Sequence, residues 1–176
     1  MDVGHHGRTD GARVSKVLGM STTLAIDPGN TYSAWVLIDD KTRRPLDFGK
    51  DENGEIRIEL PHIDADRVVI EMVASYGMAV GADVFETCVW IGRFIERSPV
   101  PPVLVKRQPV KLHHCRSPKA KDANVIQALV DRFAPGQPNR GKGTKAAPGW
   151  FYGFAADVWQ AYALAVFDVD YREVPF

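Results

Sequence analysis

Leu24-Ala25-Ile26-Asp27-Pro28-Gly29-Asn30-Thr31 decides the reading of this chain: an apolar run ends in an aspartate and a turn, and a second apolar run, Ala34-Trp35-Val36-Leu37-Ile38, follows at once. Pro-Gly turns the chain back, so the two runs form a hairpin and the carboxylate stands at the end of a buried strand. An acid held rigidly there suits a metal ligand or a phosphate-facing group, although Asp before Pro-Gly also makes an ordinary turn. Val68-Val69-Ile70-Glu71 repeats the arrangement, a β-branched run ending in an acid, and Asp157 opens a third apolar element. Three carboxylates delivered by three core elements read as a site.

Working outward, alternation and apolar runs predict strands near residues 22–27, 32–39 and 43–49, with Asp39-Asp40-Lys41 as a hairpin turn. The segment from Glu55 to His62 is ambiguous, and Arg67 to Met72 is a further short buried strand. Val84, Phe85, Cys88, Val89, Ile91, Phe94 and Ile95 have helical spacing over residues 82–97, and Ser98-Pro99 stops that helix. Pro102 to Lys106 reads as a strand. Ser117-Pro118-Lys119-Ala120 leads into a helix whose buried stripe is Val125, Leu129 and Phe133, and the polar, Gly- and Pro-rich residues 135–149 are expected to form a mobile loop. A last helix is expected from about Ala155 to Val169. Strands, helix, strand, helix, helix describe a mixed α/β fold, a central sheet flanked by helices.

Composition bounds the function classes. At 176 residues, 45% hydrophobic and 25% charged, the chain has material for one well-packed domain, placed at residues 21–176. Residues 1–20 are polar and Gly-rich with His5 and His6 adjacent; they read as a disordered extension, with Met20 as an alternative start. Two cysteines, Cys88 and Cys115, imply no disulfide framework. No apolar run approaches a membrane span and no signal-peptide centre is present, so a soluble, cytoplasmic protein is expected. Formal net charge is zero, yet from Pro101 to Lys145 ten Lys or Arg stand against two acids, Asp122 and Asp131. A segment so basic suits a polyanion or forms a solvated face.

Ile26-Asp27-Pro28-Gly29, Ile70-Glu71-Met72-Val73, Val110-Lys111, Lys119-Ala120-Lys121 and Asp157-Val158-Trp159-Gln160-Ala161-Tyr162-Ala163-Leu164-Ala165 follow one another in an order and spacing that resembles the RuvC-like Holliday junction resolvases. The stretch from Tyr76 to Thr87, with Trp90 and Arg93 after it, looks most like the phage-borne branch. The resemblance covers residues 22–169. It implies an RNase H-like fold and a structure-selective endodeoxyribonuclease that resolves four-way junctions by paired nicking, leaving 5′-phosphate and 3′-hydroxyl ends, in recombination, repair or the processing of branched DNA.

Carried over residue by residue, the resemblance implies that Asp27 bridges two divalent ions, Mg²⁺ with Mn²⁺ as the alternative, and that Glu71 and Asp157 flank them. Hard oxygen donors suit such ions. Lys111 and Lys121 fall where the family places lysines near the scissile phosphate. Lys106, Arg107, Lys119, Arg140, Lys142 and Lys145 are the further candidate DNA contacts, the last three on the glycine-rich loop. A homodimer is implied, one active site per protomer, with the helix over 82–97 and its Phe85, Val89 and Trp90 as the candidate contact; core packing is the competing role for those side chains.

The chain departs from the pattern at two places. In the family's bacterial enzymes the last helix supplies two acids three residues apart, on one face of the helix. Here that spacing gives Asp157 and Gln160, and Gln160 brings an oxygen without a charge, so weaker binding or a preference for Mn²⁺ follows. Asp122 is a candidate to compensate, with capping or pairing near a helix start as its other role. The position three after Glu71, where an aromatic wedge is expected by analogy, is Ala74, and Tyr76 or Met78 stands in.

His113-His114-Cys115 lacks a second pair at zinc spacing and reads as structural. Trp150-Phe151-Tyr152 and Phe154 either stack on bases or close a core or a subunit interface. Two other functions compete: an actin-like ATP-binding domain, which needs two such domains where this chain has one, and a junction-binding module that lost catalysis through Gln160.

Overall fold

A computed structural model describes residues 19–75, 77 and 79–173. The extension at residues 1–18 and the wedge candidates Tyr76 and Met78 lie outside the described residues. Strand β1 (Thr22–Asp27) turns through Pro28-Gly29 into β2 (Tyr32–Asp39), which turns again into β3 (Pro45–Glu52). Helix α1 (Asn53–Glu59) and a 3₁₀ turn, Leu60–His62, lead to β4 (Arg67–Met72). Then come α2 (Ala82–Arg97), β5 (Val103–Lys106), α3 (Arg107–Cys115), α4 (Asp122–Phe133) and α5 (Val158–Glu173).

The sheet runs β3-β2-β1-β4-β5. The first three strands are an antiparallel meander, while β4 lies parallel to β1 and β5 parallel to β4. Strand β1 is central and covered on both faces, which is why it reads as a continuous apolar run. Its alternate side chains divide between two cores. Ala25, with Ala34, Val36, Ile38 and Val69, packs under α3, α4 and α5. Leu24 and Ile26, with Leu37, Val68 and Ile70, pack with Ile56 and Leu60 and against Ile91 and Phe94 of α2. Helix α5 buries Val158, Trp159, Tyr162, Leu164 and Val166 among others, so it is apolar nearly all round rather than along one stripe.

Several expectations shift. Strand β3 lies two to three residues later than expected, and the ambiguous stretch is α1 plus the 3₁₀ turn. Helix α3 carries no apolar stripe strong enough to announce itself, because only Val110 is buried. Helix α4 begins at Asp122, with Lys121 in the capping position, and α5 begins at Val158 and runs on to Glu173. The buried residues of α2 are Thr87, Ile91 and Phe94; Phe85 and Val89 face outward, 63% and 54% exposed, so core packing is not their role. Residues 135–149 carry hydrogen-bonded structure of their own: a 3₁₀ turn at Asn139–Gly141, a bridge between Gly143 and Pro148, and bonds from the Gly149 amide to the Lys142 carbonyl and from the Phe151 amide to the Gly141 carbonyl. Gly143 has φ +65°, and a Cβ there would sit 2.3 Å from the Ala147 carbonyl oxygen, so the loop requires glycine at that position.

Candidate active site

Paired residues of neighbouring strands point to the same side of a sheet, so register decides which side chains meet. Lys50 pairs with Ala34, and Ala34 with Asp27. One rung beyond the Ile26–Ile70 pair, Asp27 stands beside Glu71, which pairs with Val105 of β5. Lys50, Ala34, Asp27, Glu71 and Val105 therefore form one row across the sheet, on the face that α3, α4 and α5 cover. The row lies where the parallel strands β1, β4 and β5 all reach their carboxyl ends.

The turn after Asp27 is fixed from below. Buried Asn53, at the start of α1, donates to the Gly29 carbonyl at 2.9 Å and accepts from the Ser33 hydroxyl at 2.6 Å. The Gly29 amide donates to that same hydroxyl at 3.2 Å. A Cβ on Gly29 would lie 2.3 Å from the Tyr32 carbonyl oxygen, so only glycine lets the hairpin close this tightly.

Asp27 and Glu71 are each 13% exposed. Arg107, the first residue of α3, reaches over them: its Nη1 donates to both oxygens of Glu71, at 3.0 and 3.3 Å, and lies 3.9 Å from Asp27 Oδ1. Its Nη2 lies 3.1 Å from Asp122 Oδ1, and Lys111 Nζ is 3.5 Å from the same oxygen. Asp157 caps the start of α5, its carbonyl accepting from the Gln160 and Ala161 amides, while its carboxylate is held by Lys50 Nζ at 2.5 Å. The preceding Ala156 adopts φ +43°, which makes the sharp bend into the helix. Gln160 is buried one turn inside.

The electrostatics identify the carboxylate that bears the strain of this crowding. Burial, then repulsion from Glu71, pushes the Asp27 carboxyl up to about 8, with Asp157 and Asp122 adding to the rise and Arg107 opposing it. Glu71 is also raised, by burial, against the pull of Arg107. Asp122 is lowered: burial works against ionisation there, but the Arg107 hydrogen bond and charge outweigh it. Arg107 is desolvated yet held more firmly protonated by Glu71 and Asp27.

The structure thus brings Asp27, Glu71, Asp122, Arg107 and Lys111 together, with Asp157 within electrostatic reach. Lys106, Lys119 and Lys121 are exposed beside this cluster in sequence, and Arg140 and Lys145 are exposed on the loop with Lys142 half-buried; among the described contacts none of them touches the acid row. Lys50 was not a candidate from sequence, because only strand register carries it to Asp157. His113 pairs with Asp170 at 2.8 Å, and His114 bonds the Ala163 carbonyl at 2.8 Å, its pKa lowered by burial to about 4. Both are tied into the protein by these bonds. Phe151 and Phe154 are fully buried against Trp159 and Tyr162, and Trp150 stacks on Phe133, which leaves Tyr152 as the exposed aromatic of that stretch.

Among the described residues no three His, Cys, Asp or Glu side chains stand close enough together to hold a metal ion as they are. The donor set nevertheless fits a hard divalent cation in kind. Two buried carboxylates sit on adjacent rigid strands, their charges repel, and a third acid, Asp157 just before α5, lies within electrostatic reach of Asp27. The positive charge beside these acids comes from Arg107 on Glu71 and Asp122, Lys111 on Asp122, and Lys50 on Asp157.

An antiparallel meander extended by two parallel strands, with helices on both faces, is the architecture of the RNase H-like fold. Among solved structures the chain is similar to RuvC of Thermus thermophilus, with a TM-score of 0.60 and 16% identity over 86% of this chain and 95% of that one. It is equally similar to T. thermophilus RuvC in complex with a Holliday junction substrate, with a TM-score of 0.60 and 14% identity over 86% and 94% of the two chains. The fold is RuvC-like. No family model matches the sequence, and no curated protein matches it.

Proposed function

We propose that this chain is a metal-dependent, structure-selective DNA endonuclease that resolves four-way junctions and other branched DNA by paired nicking. The observation that carries the reading is the pair of acids Asp27 and Glu71 on adjacent strand ends, with Asp157 within electrostatic reach, in a RuvC-like fold. The T. thermophilus neighbour is recorded in complex with a Holliday junction substrate, and branched DNA is the substrate class assigned to this chain on that likeness.

Asp27, Glu71 and Asp157 would hold the divalent ions, Mg²⁺ or Mn²⁺, with Gln160 contributing an uncharged oxygen. Bound there, such ions activate water and stabilise the departing 3′ oxygen of a phosphodiester. The chain's own residues do the rest. The Asn53–Ser33–Gly29 bonds hold Asp27 at a fixed height on the sheet, so its carboxylate needs no reorganisation when substrate arrives. Lys111, half-buried at the rim, offsets negative charge gathering on the scissile phosphate, and Lys121 at the start of α4 supports it. Lys106, Lys119, Arg140, Lys142 and Lys145 contact the sugar-phosphate backbone, which fixes register without reading sequence. Two copies, meeting through the outward Phe85 and Val89 of α2, would present two sites to the two strands that are cut. A phage-borne resolvase is the reading given to it on the sequence from Tyr76 to Thr87 with Trp90 and Arg93.

Incubating an end-labelled four-way junction and a matched linear duplex with Mg²⁺ or Mn²⁺, beside Asp27→Asn, tests the proposal. Cutting confined to the junction and absent in the variant is expected. Equal cutting of both substrates would replace it with a general nuclease. Junction binding without cutting would favour the second reading, a binding module, which the neutral Gln160 and the paired state of Glu71 and Asp157 support.

A further inference from the structure

Four carboxylates, Asp27, Glu71, Asp122 and Asp157, face three cations of the same chain, Lys50, Arg107 and Lys111. Even with all four acids ionised, one net negative charge is left, too little to hold even one divalent ion without excess positive charge. A cation of the protein has to leave before a metal enters. Geometry selects which. Lys50 grips Asp157 at the solvent-facing edge, both side chains being 40% or more exposed. Lys111 pairs with Asp122 at the rim and acts on Glu71 by charge alone. Arg107 alone spans the row, using one nitrogen on both oxygens of Glu71 and the other on Asp122. Its Nη1 lies 3.0 and 3.3 Å from the two Glu71 oxygens and 3.9 Å from Asp27 Oδ1, and an ion with oxygen ligands at about 2.0–2.1 Å cannot share those two carboxylates with a guanidinium so placed.

We propose that Arg107 is a resident counter-ion that closes the acid row in the metal-free chain, and that divalent ions enter by displacing it from Glu71. This deepens the nuclease reading and rests on it for the identity of the site. Arg107 sits on the first turn of α3, immediately after β5, so rotation of its side chain alone moves the guanidinium away without disturbing the strand that pairs with β4. Freed, it faces outward beside Lys106 and Lys111, where the two non-bridging oxygens of a phosphodiester offer its planar guanidinium a bidentate partner. Arg107 is a positioning residue in this account: it sets whether Glu71 is available, and its effect reaches the chemistry through the ions.

The test is a calorimetric titration of the full chain with MnCl₂, without DNA, comparing the native protein, Arg107→Ala, Arg107→Lys and the double variant Asp27→Asn with Arg107→Ala. Loss of the guanidinium is expected to tighten Mn²⁺ binding at least about tenfold, equivalent to about 1.4 kcal/mol. Arg107→Lys should shift the affinity the same way by less, since one ammonium cannot span Glu71 and Asp122, and the double variant should lose the gain. Thermal melts separate this from a folding role: Arg107→Ala should melt lower than native without metal and gain more than native from saturating Mn²⁺, whereas a merely structural arginine lowers both melts alike. Unchanged or weaker Mn²⁺ binding in Arg107→Ala overturns the proposal; if that variant does not fold, unchanged binding in Arg107→Lys does so. A chain that binds Mn²⁺ more tightly without Arg107 but never cuts a junction sinks the nuclease reading and leaves this one standing.

Discussion

Asp27→Asn in metal-free buffer is the perturbation whose size follows most directly from the structure. The Asp27 carboxyl is pushed up to about 8 from 3.8, by burial first and then by its acidic neighbours. An acid whose folded pKa exceeds its unfolded one holds its proton more tightly when folded. Stability is therefore greatest below the unfolded value and is lost as pH rises from about 4 to about 8. The difference, 8 less 3.8, at about 1.36 kcal/mol per unit, sets a ceiling of about 6 kcal/mol on that loss. Asparagine has a similar shape and cannot ionise, so the variant escapes it. Urea unfolding of both proteins at about pH 5 and about pH 9, with chelator, should show the variant gaining about 3–4 kcal/mol on the native chain between those pH values. Saturating Mg²⁺ should shrink the gap, since only the native chain regains a partner for its charge. A difference between the two proteins that stays constant with pH would refute the reasoning, because it would mean that Asp27 titrates alike in the folded and unfolded chain.

Asp157→Asn should abolish junction cleavage while changing stability by less than about 1 kcal/mol in urea unfolding, because the pair it makes with Lys50 is half exposed. Gln160→Asp should preserve or raise cleavage and tighten Mn²⁺ binding by calorimetry; a folded but inactive variant would show that Gln160 does not stand in for a ligand. Asp168→Ala should cost about 3–5 kcal/mol in urea unfolding with no direct effect on metal affinity, since it strips a buried partner from Arg67, bonded at 2.6 and 2.8 Å, and from Arg172.

The parts legible in the sequence were those governed by local pattern. The strand over Arg67–Met72 and the helix over Ala82–Arg97 appear with their expected bounds, because a β-branched run and a helical spacing ended by Ser98-Pro99 are local signals. Helix α3 was missed because its only buried side chain is Val110. The exposure of Phe85 and Val89 escaped periodicity, which finds a stripe without saying how wide it is. Asp27 and Glu71 were readable as acids at strand ends, and the parallel register that makes them neighbours agrees with that reading. Arg107 and Lys50 were not readable as partners of those acids. Their places depend on β5 joining β4 and on β3 returning beside β2, pairings between residues far apart in the chain. Asp122, weighed as a substitute ligand or a pairing acid, is the pairing acid in this structure.

The central claim, that the acid row cuts branched DNA, is tested most directly by mapping the cuts in a four-way junction whose four strands are labelled in turn, with Mg²⁺ or Mn²⁺ present. Paired nicks are expected at symmetric positions in two opposing strands, sealed afterwards by a DNA ligase because they carry 5′-phosphate and 3′-hydroxyl ends, and absent from Asp27→Asn. Intact strands despite saturating junction binding, or unpaired cuts that persist in Asp27→Asn, would contradict that claim.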